Sequence, residues 1–242
     1  VLFKNFFDNQ SSLDKVLDAQ IKYPVDIVET DNSLRFEIAI TGIDPDAVKL
    51  NVEDDILRVE YNKYDDKELE IIRKSFNYSA SLHKGQKRKF SYDPYIIHPI
   101  RVAINLYGEK YELITAALLH DIVEDTEIKL SEINDKFGYK IMMFVKGMTK
   151  SNKISIFDAL NSVLDKFPEV ILLKLSDRID NMEDKFNYLP ETSRRRYYNE
   201  NKLILKVAKK LIDENKIRDI NKLYDKLELL HHFNLKYESL SN

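Results

Sequence analysis

Apolar and polar residues follow two different periods along this chain, and the period changes near residue 62. In the first part, β-branched and aromatic residues alternate with polar ones, as in Leu34-Arg35-Phe36-Glu37-Ile38. Turn-forming runs such as Asp44-Pro45-Asp46 interrupt the alternation. Alternation bounded by such residues is typical of half-buried strands. The pattern predicts a small antiparallel β segment, with strands at 23–30, 34–40, 49–52 and 56–61.

After a polar linker at 62–67, apolar residues recur at helical spacing almost to the end of the chain. Leu69, Ile72, Phe76 and Ala80 mark one face of the first helix, because residues three or four positions apart share a helix face. Further helices are predicted at 95–107, 110–124, 129–136, 139–149, 153–166, 168–182, 190–212 and 216–230, and a short one at 13–21. The expected fold is mainly α, with a β segment at 1–62 and a helical domain at 66–242.

One predicted helix ends in a cluster of charged residues. The run 113–119 is apolar, rich in Ala and Leu, and free of Gly and Pro, which indicates a buried helix. It continues into His120, Asp121, Glu124 and Asp125. At about 100° per residue, these four positions of a continuous helix fall within an arc of roughly 140°. The spacing therefore directs an imidazole and three carboxylates toward one volume.

Two interpretations of this cluster stay open. A divalent cation would neutralise the carboxylates, accept an imidazole nitrogen and offset the cost of burying these groups. The alternative is an amphipathic helix whose acidic end is solvated, since the apolar residues Ile122 and Val123 are interleaved with the charged ones.

Composition narrows the chemistry. The 242 residues are 43% hydrophobic, which is ample for a core, and the net charge of −3 gives no support for nucleic-acid binding. The chain has no cysteine, which excludes disulfides, thiolate nucleophiles and iron–sulfur clusters. A metal would therefore have nitrogen and oxygen ligands. No run is long enough to span a membrane and no secretory signal peptide is evident, so a cytoplasmic location is expected.

Two other positions could complete a metal site. His98 lies between Pro94 and Pro99, which stiffen the backbone around it. Asp177 interrupts the apolar run that begins at Val170, and taken alone this acid is better explained by a pairing with Lys174 or Arg178. Together with His120 and Asp121, these residues would form a site of two histidines and two carboxylates, with coordination positions left for water and a phosphate oxygen.

Four ordered motifs resemble the HD-domain hydrolases of the alarmone (p)ppGpp, which form the hydrolase half of the long Rel/SpoT enzymes and the small alarmone hydrolases. The resemblance covers residues 66–205. The motifs are His83-Lys84-Gly85-Gln86-Lys87-Arg88-Lys89, Pro94-Tyr95-Ile96-Ile97-His98-Pro99, Ala116-Ala117-Leu118-Leu119-His120-Asp121-Ile122-Val123-Glu124-Asp125-Thr126 and Lys174-Leu175-Ser176-Asp177-Arg178-Ile179-Asp180-Asn181-Met182.

The resemblance implies an all-helical HD fold and a role for each matched residue. Mn²⁺, or another divalent cation, would be held by His98, His120, Asp121 and Asp177. Glu124 and Asp125 would orient or activate the attacking water. Arg88 and Lys89 would lie along the purine and contact phosphate, and Asn181 would contact the nucleotide sugar. Glu183 and Asp184 depart from the family pattern, which puts local substrate contacts in doubt.

The N-terminal segment resembles part of another family. The stretches at 24–30, 40–52 and 56–61 are similar to the first half of the α-crystallin domain of small heat-shock proteins. The later strands of that domain are absent, and an incomplete sandwich leaves strand edges and an apolar face uncovered. The segment is expected to pack on the helical domain, on a partner's strand or on a second copy, which would make a homo-oligomer.

The resemblance implies an enzyme that converts (p)ppGpp to GDP or GTP and pyrophosphate. The partner would be a guanosine nucleotide, and no synthetase activity is expected. Two alternatives stay open: a phosphohydrolase for another nucleotide, such as an NADPH 2′-phosphatase, and a non-catalytic module that binds alarmones or other proteins.

Overall fold

The computed structural model describes residues 25–30, 33–38, 48–53, 56–61, 64–150, 154–217 and 221–240. In the four strands, at 185, 187 and 221, and over 232–240, the description is limited to the backbone. The chain divides into two compact units, Val1–Asp65 and Asp66–Asn242. The predicted helix at 13–21 lies outside the described residues.

The N-terminal unit contains two antiparallel hairpins. Strands β1 (Val25–Thr30) and β2 (Ser33–Ile38) pair with Val25 opposite Ile38, and β3 (Val48–Glu53) and β4 (Ile56–Tyr61) pair with Val48 opposite Tyr61. Each pair forms its own two-stranded sheet. The α-crystallin resemblance of this unit stays a prediction.

The second unit is helical, which confirms the predicted mainly α class. Its helices are α1 (Asp66–Leu82), α2 (Ile97–Asn105), α3 (Tyr111–Leu119), α4 (Ile122–Asp125), α5 (Leu130–Phe137), α6 (Tyr139–Met148), α7 (Ile156–Leu164), α8 (Val170–Lys185), α9 (Glu191–Asp213) and α10 (Asn221–Leu240). A 3₁₀ turn at Phe186–Tyr188 separates α8 from α9. None of the helices in the described part of the chain is long and apolar enough to cross a membrane.

Helix α8 is the centre of this unit. It contacts α2, α3, α6, α7, α9 and α10, and its residues from Val170 to Leu173 are buried. Gly147 of α6 lies at one of these contacts, where an added Cβ would come within 2.9 Å of the Val170 side chain. Because α8 also contacts α2 and α3, and these two helices contact each other, polar residues on the three can meet in the core.

The single helix predicted over 110–124 is wrong. Helix α3 ends at Leu119 with all residues from Leu113 onward buried, and the one-turn helix α4 begins at Ile122. His120 and Asp121 form the junction, and both keep right-handed helical backbone angles. At this junction the His120 Nδ1 donates to the carbonyl oxygen of Ala117 at 2.8 Å, so the ring folds back on the last turn of α3.

Candidate metal centre

Three helical elements bring four predicted ligands together. His98 comes from α2, His120 and Asp121 from the junction, and Asp177 from α8. The His98 Nε2 lies 3.4 Å from Asp121 Oδ2 and 3.3 Å from Asp177 Oδ1. The His120 Nε2 lies 3.2 Å from Asp121 Oδ1 and 3.8 Å from Asp177 Oδ1. The four side chains therefore face one point.

The outer ring nitrogens fix the orientation of both imidazoles. The His120 Nδ1 donates to a carbonyl oxygen, which can only accept. The His98 Nδ1 lies 2.6 Å from Asp180 Oδ2, an oxygen that also accepts from the Arg88 Nη2 at 3.3 Å. This Asp180 oxygen is thus an acceptor, and His98 donates to it. In the neutral form of each ring, the Nε2 lone pair faces the centre of the cluster, as a metal ligand requires.

The cluster is strongly coupled electrostatically. Burial by itself lowers the pKa of His120, but the charge and hydrogen bonding of Asp121 and the charge of Asp177 outweigh it and raise that pKa to about 9. Burial raises the pKa of Asp121 and of Asp177, yet nearby cations hold both well below the ordinary range: the imidazoles for Asp121, and Lys174 with the imidazoles for Asp177. The carboxylates therefore stay ionised and demand positive charge between the rings.

These residues fit a divalent cation. The ligand atoms of His98, His120 and Asp177 all lie within 4.8 Å of one another, and all three residues are buried. Ligands bound at about 2.0–2.2 Å to one cation are themselves roughly 3.0–3.5 Å apart, which matches most of the distances here. The His120 Nε2 is also buried, and in the described part of the chain it has a charge contact with Asp121 Oδ1 at 3.2 Å but no hydrogen bond of good geometry. A cation would satisfy it.

Tyr95 supports the ligand Asp121. Its hydroxyl donates to Asp121 Oδ2 at 2.7 Å, and its ring stacks on His83 with centroids 4.7 Å apart. His83 in turn pairs through Nδ1 with Gln86 Oε1 at 2.7 Å. Burial raises the pKa of Tyr95, and the charges of Asp121 and Asp125 add to the rise, so the phenol remains a donor. His83 thus packs behind the site and does not face the metal ligands.

Glu124 is held by Lys150. The Glu124 Oε1 accepts from the backbone N–H of Lys150 at 2.6 Å, and its Oε2 lies 3.3 Å from the Lys150 ammonium. Burial lowers the pKa of Lys150, but Glu124 and then Asp121 and Asp177 raise it more. The negative charges of Asp121 and Asp177 therefore also stabilise the protonated form of Lys150. Asp125 is exposed, and its charge and hydrogen bonding help to raise the pKa of the Tyr95 hydroxyl.

The predicted substrate residues occupy different surroundings. Arg88 is only 6% exposed, and its guanidinium is paired with Asp184 at 2.7 Å and with Asp180. Lys89 is exposed. Asn181 donates through Nδ2 to Asp177 Oδ1, so it contacts a predicted metal ligand. Lys174 is buried and donates to the other oxygen of Asp177 at 2.9 Å. Of the two pairings suggested for Asp177, the structure contains the one with Lys174.

A family model for the HD domain matches residues 75–210, which is more than half of the chain. The chain belongs to the HD-domain family. An HD domain implies a divalent metal, and the His/Asp cluster described above supplies a site for one.

Named bacterial proteins resemble parts of this HD-domain chain. It is 42% identical over 123 residues to the guanosine-3′,5′-bis(diphosphate) 3′-pyrophosphohydrolase of Aquifex aeolicus, covering 47% of this chain and 18% of that protein. It is 33% identical over 140 residues to the bifunctional (p)ppGpp synthase/hydrolase SpoT of Escherichia coli K12, covering 53% and 20%. A protein of Streptomyces coelicolor named GTP pyrophosphokinase is 36% identical over 137 residues, covering 52% and 16%. The chain thus spans about a fifth of the length of these relatives.

A solved structure has the same fold. It belongs to a metazoan ortholog of SpoT that is described as hydrolysing ppGpp and playing a role in starvation responses. The TM-score is 0.52 at 24% identity, and the likeness covers 72% of this chain and 98% of that one. At this identity it shows that the fold of the HD-domain chain is shared.

Sequence reasoning missed three residues around the site of this HD domain. Lys150 follows α6 and gave no signal, because its position depends on how α6 packs on α3. Tyr95 precedes His98 by three residues, a spacing that could have indicated a neighbour on the same side of the chain. Asp180 follows Asp177 by three residues on α8, and the same spacing could have revealed it.

Proposed function

We propose that this chain is a metal-dependent hydrolase that removes the 3′-diphosphate of (p)ppGpp. The observation that carries the proposal is the convergence of His98, His120 and Asp177, with Asp121 within 3.4 Å of both imidazoles. The substrate class rests on the similarity to proteins named 3′-pyrophosphohydrolases, from Aquifex aeolicus and from Vibrio cholerae, the second at 34% identity over 140 residues.

We assign the metal to Mn²⁺, and another divalent cation with a preference for nitrogen and oxygen ligands would suit the same residues. When bound, such a cation lowers the pKa of a water molecule and polarises a phosphorus–oxygen bond. His98, His120, Asp121 and Asp177 would hold it. Tyr95 and Asn181 fix the two carboxylates through their hydrogen bonds, so neither acid needs to reorganise during the reaction.

Glu124 is the base in this proposal. It accepts a proton from the attacking water, whose oxygen forms a bond to the phosphorus next to the ribose 3′-oxygen. The bond between that phosphorus and the 3′-oxygen breaks, and the proton held by Glu124 passes to the 3′-oxygen. GDP or GTP leaves with its 3′-hydroxyl, and pyrophosphate is released. Asp125 orients the water together with the Tyr95 hydroxyl. Lys150 keeps Glu124 in place through its backbone N–H and its ammonium.

Lys89 is the stronger of the two predicted basic contacts to the nucleotide. Its ammonium is exposed, whereas the Arg88 guanidinium is paired with two aspartates. We assign phosphate binding to Lys89. Arg88 would contact the nucleotide only weakly, because its guanidinium is buried in ion pairs with Asp180 and Asp184. Asn181 would reach the sugar with groups that its bond to Asp177 leaves free.

We further propose that the chain hydrolyses the alarmone without making it, as a small alarmone hydrolase does. The matched relatives include proteins named for synthesis as well as for hydrolysis, but the family model that matches this chain is the HD domain. Incubation with ATP and GDP should yield no ppGpp. Formation of ppGpp would contradict this part of the proposal.

We also propose that the β unit makes contacts between copies of the chain.

The decisive experiment measures pyrophosphate release from ppGpp by the purified protein with Mn²⁺. We expect turnover in the unchanged protein and none in Asp121→Ala or Asp177→Ala. Undiminished turnover in both variants would overturn the proposal. A parallel arm with NADPH separates the two enzyme readings, because phosphate release from NADPH at a higher rate would favour a 2′-phosphatase. Binding of ppGpp without turnover would favour the non-catalytic module.

A further inference from the structure

Helix α8 carries two acids with little-exposed side chains besides the predicted metal ligand Asp177. Asp180 follows Asp177 by three residues and Asp184 follows Asp180 by four, which places all three on one side of the helix. Neither is a metal ligand by its contacts: the side chain of Asp180 is 2% exposed and that of Asp184 is 6% exposed, and both face residues behind His98. Buried acids of this kind need partners.

Asp180 meets the metal site from behind. Its Oδ2 lies 2.6 Å from the His98 Nδ1, the ring nitrogen that points away from the other ligands. The same oxygen accepts from the Arg88 Nη2 at 3.3 Å, so it is an acceptor shared by two donors. His98 is therefore placed between a carboxylate at its Nδ1 and the ligand carboxylates at its Nε2.

Asp184 and two arginines complete this arrangement. Arg88 donates to Asp184 Oδ2 from Nε at 3.1 Å and from Nη2 at 2.7 Å. Arg101, on the same helix as His98, lies 4.0 Å from Asp180 and 3.8 Å from Asp184. Two arginines thus lie near the two acids, and Asp180 Oδ2 also lies next to the His98 ring.

We propose that Asp180 is a positioning residue for the metal ligand His98, and that Arg88 and Asp184 hold Asp180 in place. A carboxylate that accepts from the outer nitrogen of an imidazole fixes its tautomer and orientation and makes the inner nitrogen a stronger ligand. Arg88 therefore acts on the metal through Asp180 and His98. His120 lacks such support, because its outer nitrogen donates to a neutral carbonyl oxygen.

The first test measures Zn²⁺ binding calorimetrically, with no nucleotide present. Asp180→Asn keeps an oxygen that can accept from His98 but removes the charge. We expect its affinity for Zn²⁺ to fall about 10- to 100-fold, the range found when such supporting residues are changed. Asp184→Asn is the matched control: it changes the same kind of group one turn away, without contact to His98, and should lower the affinity no more than about threefold, because the effect must pass through Arg88 and Asp180.

The second test reads the ring directly, by nuclear magnetic resonance of ¹⁵N-labelled histidine in the Zn²⁺-loaded protein. His98 is assigned by comparison with His98→Gln. We expect a protonated Nδ1 whose proton resonates far downfield, and an upfield shift of this proton in Asp180→Asn. This signal does not depend on stability, so a merely structural role of Asp180 would not move it selectively.

Two outcomes would overturn the inference. One is Zn²⁺ affinity in folded Asp180→Asn equal to that of the unchanged protein. The other is a His98 ring in the unchanged protein that is protonated on Nε2, and this measurement remains decisive even if the variant does not fold. Because neither test uses ppGpp, a failure here is distinguishable from a failure of the proposed hydrolysis.

Discussion

Asp121 and Glu124 are three residues apart, yet their carboxylates have very different partners. Asp121 faces two buried imidazoles and accepts a hydrogen bond from Tyr95. Glu124 faces one lysine, whose side chain is 67% exposed. Asp121 is thus fixed by several groups that also fix each other, whereas Glu124 depends on a single neighbour at the edge of solvent.

This difference in partners suits the two acids to two roles: Asp121 to binding a cation, and Glu124 to reacting with a water molecule. The charges of Asp121 and its imidazole partners raise the pKa of His120 and lower that of Asp121, and a divalent cation could take the place of the imidazole proton. Glu124 can exchange its contact with Lys150 for one with a water molecule while the cluster stays intact. The two acids should therefore respond differently to substitution, to pH and to the loss of their neighbours.

Removal of a buried ligand should have the largest effect. Asp177→Ala removes an oxygen from the cluster and leaves Lys174 without its acceptor. We expect turnover of ppGpp to fall by on the order of 10³-fold or more, because a bound cation contributes several kcal/mol to the transition state. Mn²⁺ affinity, measured by calorimetry, should fall as well. Asp135→Ala, which removes an exposed acid of α5, is the control and should change neither quantity.

Glu124→Gln should reduce turnover but spare the metal. A positioned base typically contributes 10²- to 10⁴-fold, so we expect a loss of kcat on the order of 10²-fold or more. Mn²⁺ affinity should stay within about threefold of the unchanged protein, since Glu124 is not among the converging ligands. A loss of Mn²⁺ affinity as large as the loss of kcat would mean that Glu124 is itself a metal ligand, as Asp121 is proposed to be.

Metal affinity should rise with pH. Without metal, the pKa of His120 is raised to about 9, so the ring carries an extra proton at neutral pH, and a cation must displace it. Below that pKa, Mn²⁺ affinity should fall about tenfold per pH unit for each proton displaced. Calorimetry in buffers of different ionisation enthalpy counts the protons released. An affinity that is flat between pH 6 and 8 would contradict the raised pKa.

Lys150→Met should have the smallest effect. It removes the ammonium but keeps the backbone N–H that also holds Glu124. An exposed ion pair contributes up to about 1 kcal/mol, so kcat should fall no more than about fivefold. Combining Lys150→Met with Glu124→Gln shows whether the two act together. Additive losses would mean that Lys150 works independently of Glu124.

Much of the helical unit could be predicted from the chain because its helices have clear apolar faces and Pro boundaries. The ligands could be proposed because each one interrupts an apolar or proline-bounded run. The junction at His120 could not, since the apolar pattern continues from Leu119 into Ile122 and both junction residues keep helical angles. The ion pairs of Arg88 could not either, because they depend on α8 bringing Asp184 to the loop that carries Arg88.

The junction between α3 and α4 has a consequence for local unfolding of the protein. His120 and Asp121 lie between α3, which ends at Leu119, and α4, which begins at Ile122, so neither residue is inside a continuous helix. A break of this kind opens more easily than a continuous helix. A cation bound to both His120 and Asp121 would stabilise the closed form of this junction. Hydrogen–deuterium exchange of the amides at 120–125 should therefore slow on metal loading, while exchange within α9 should remain unchanged.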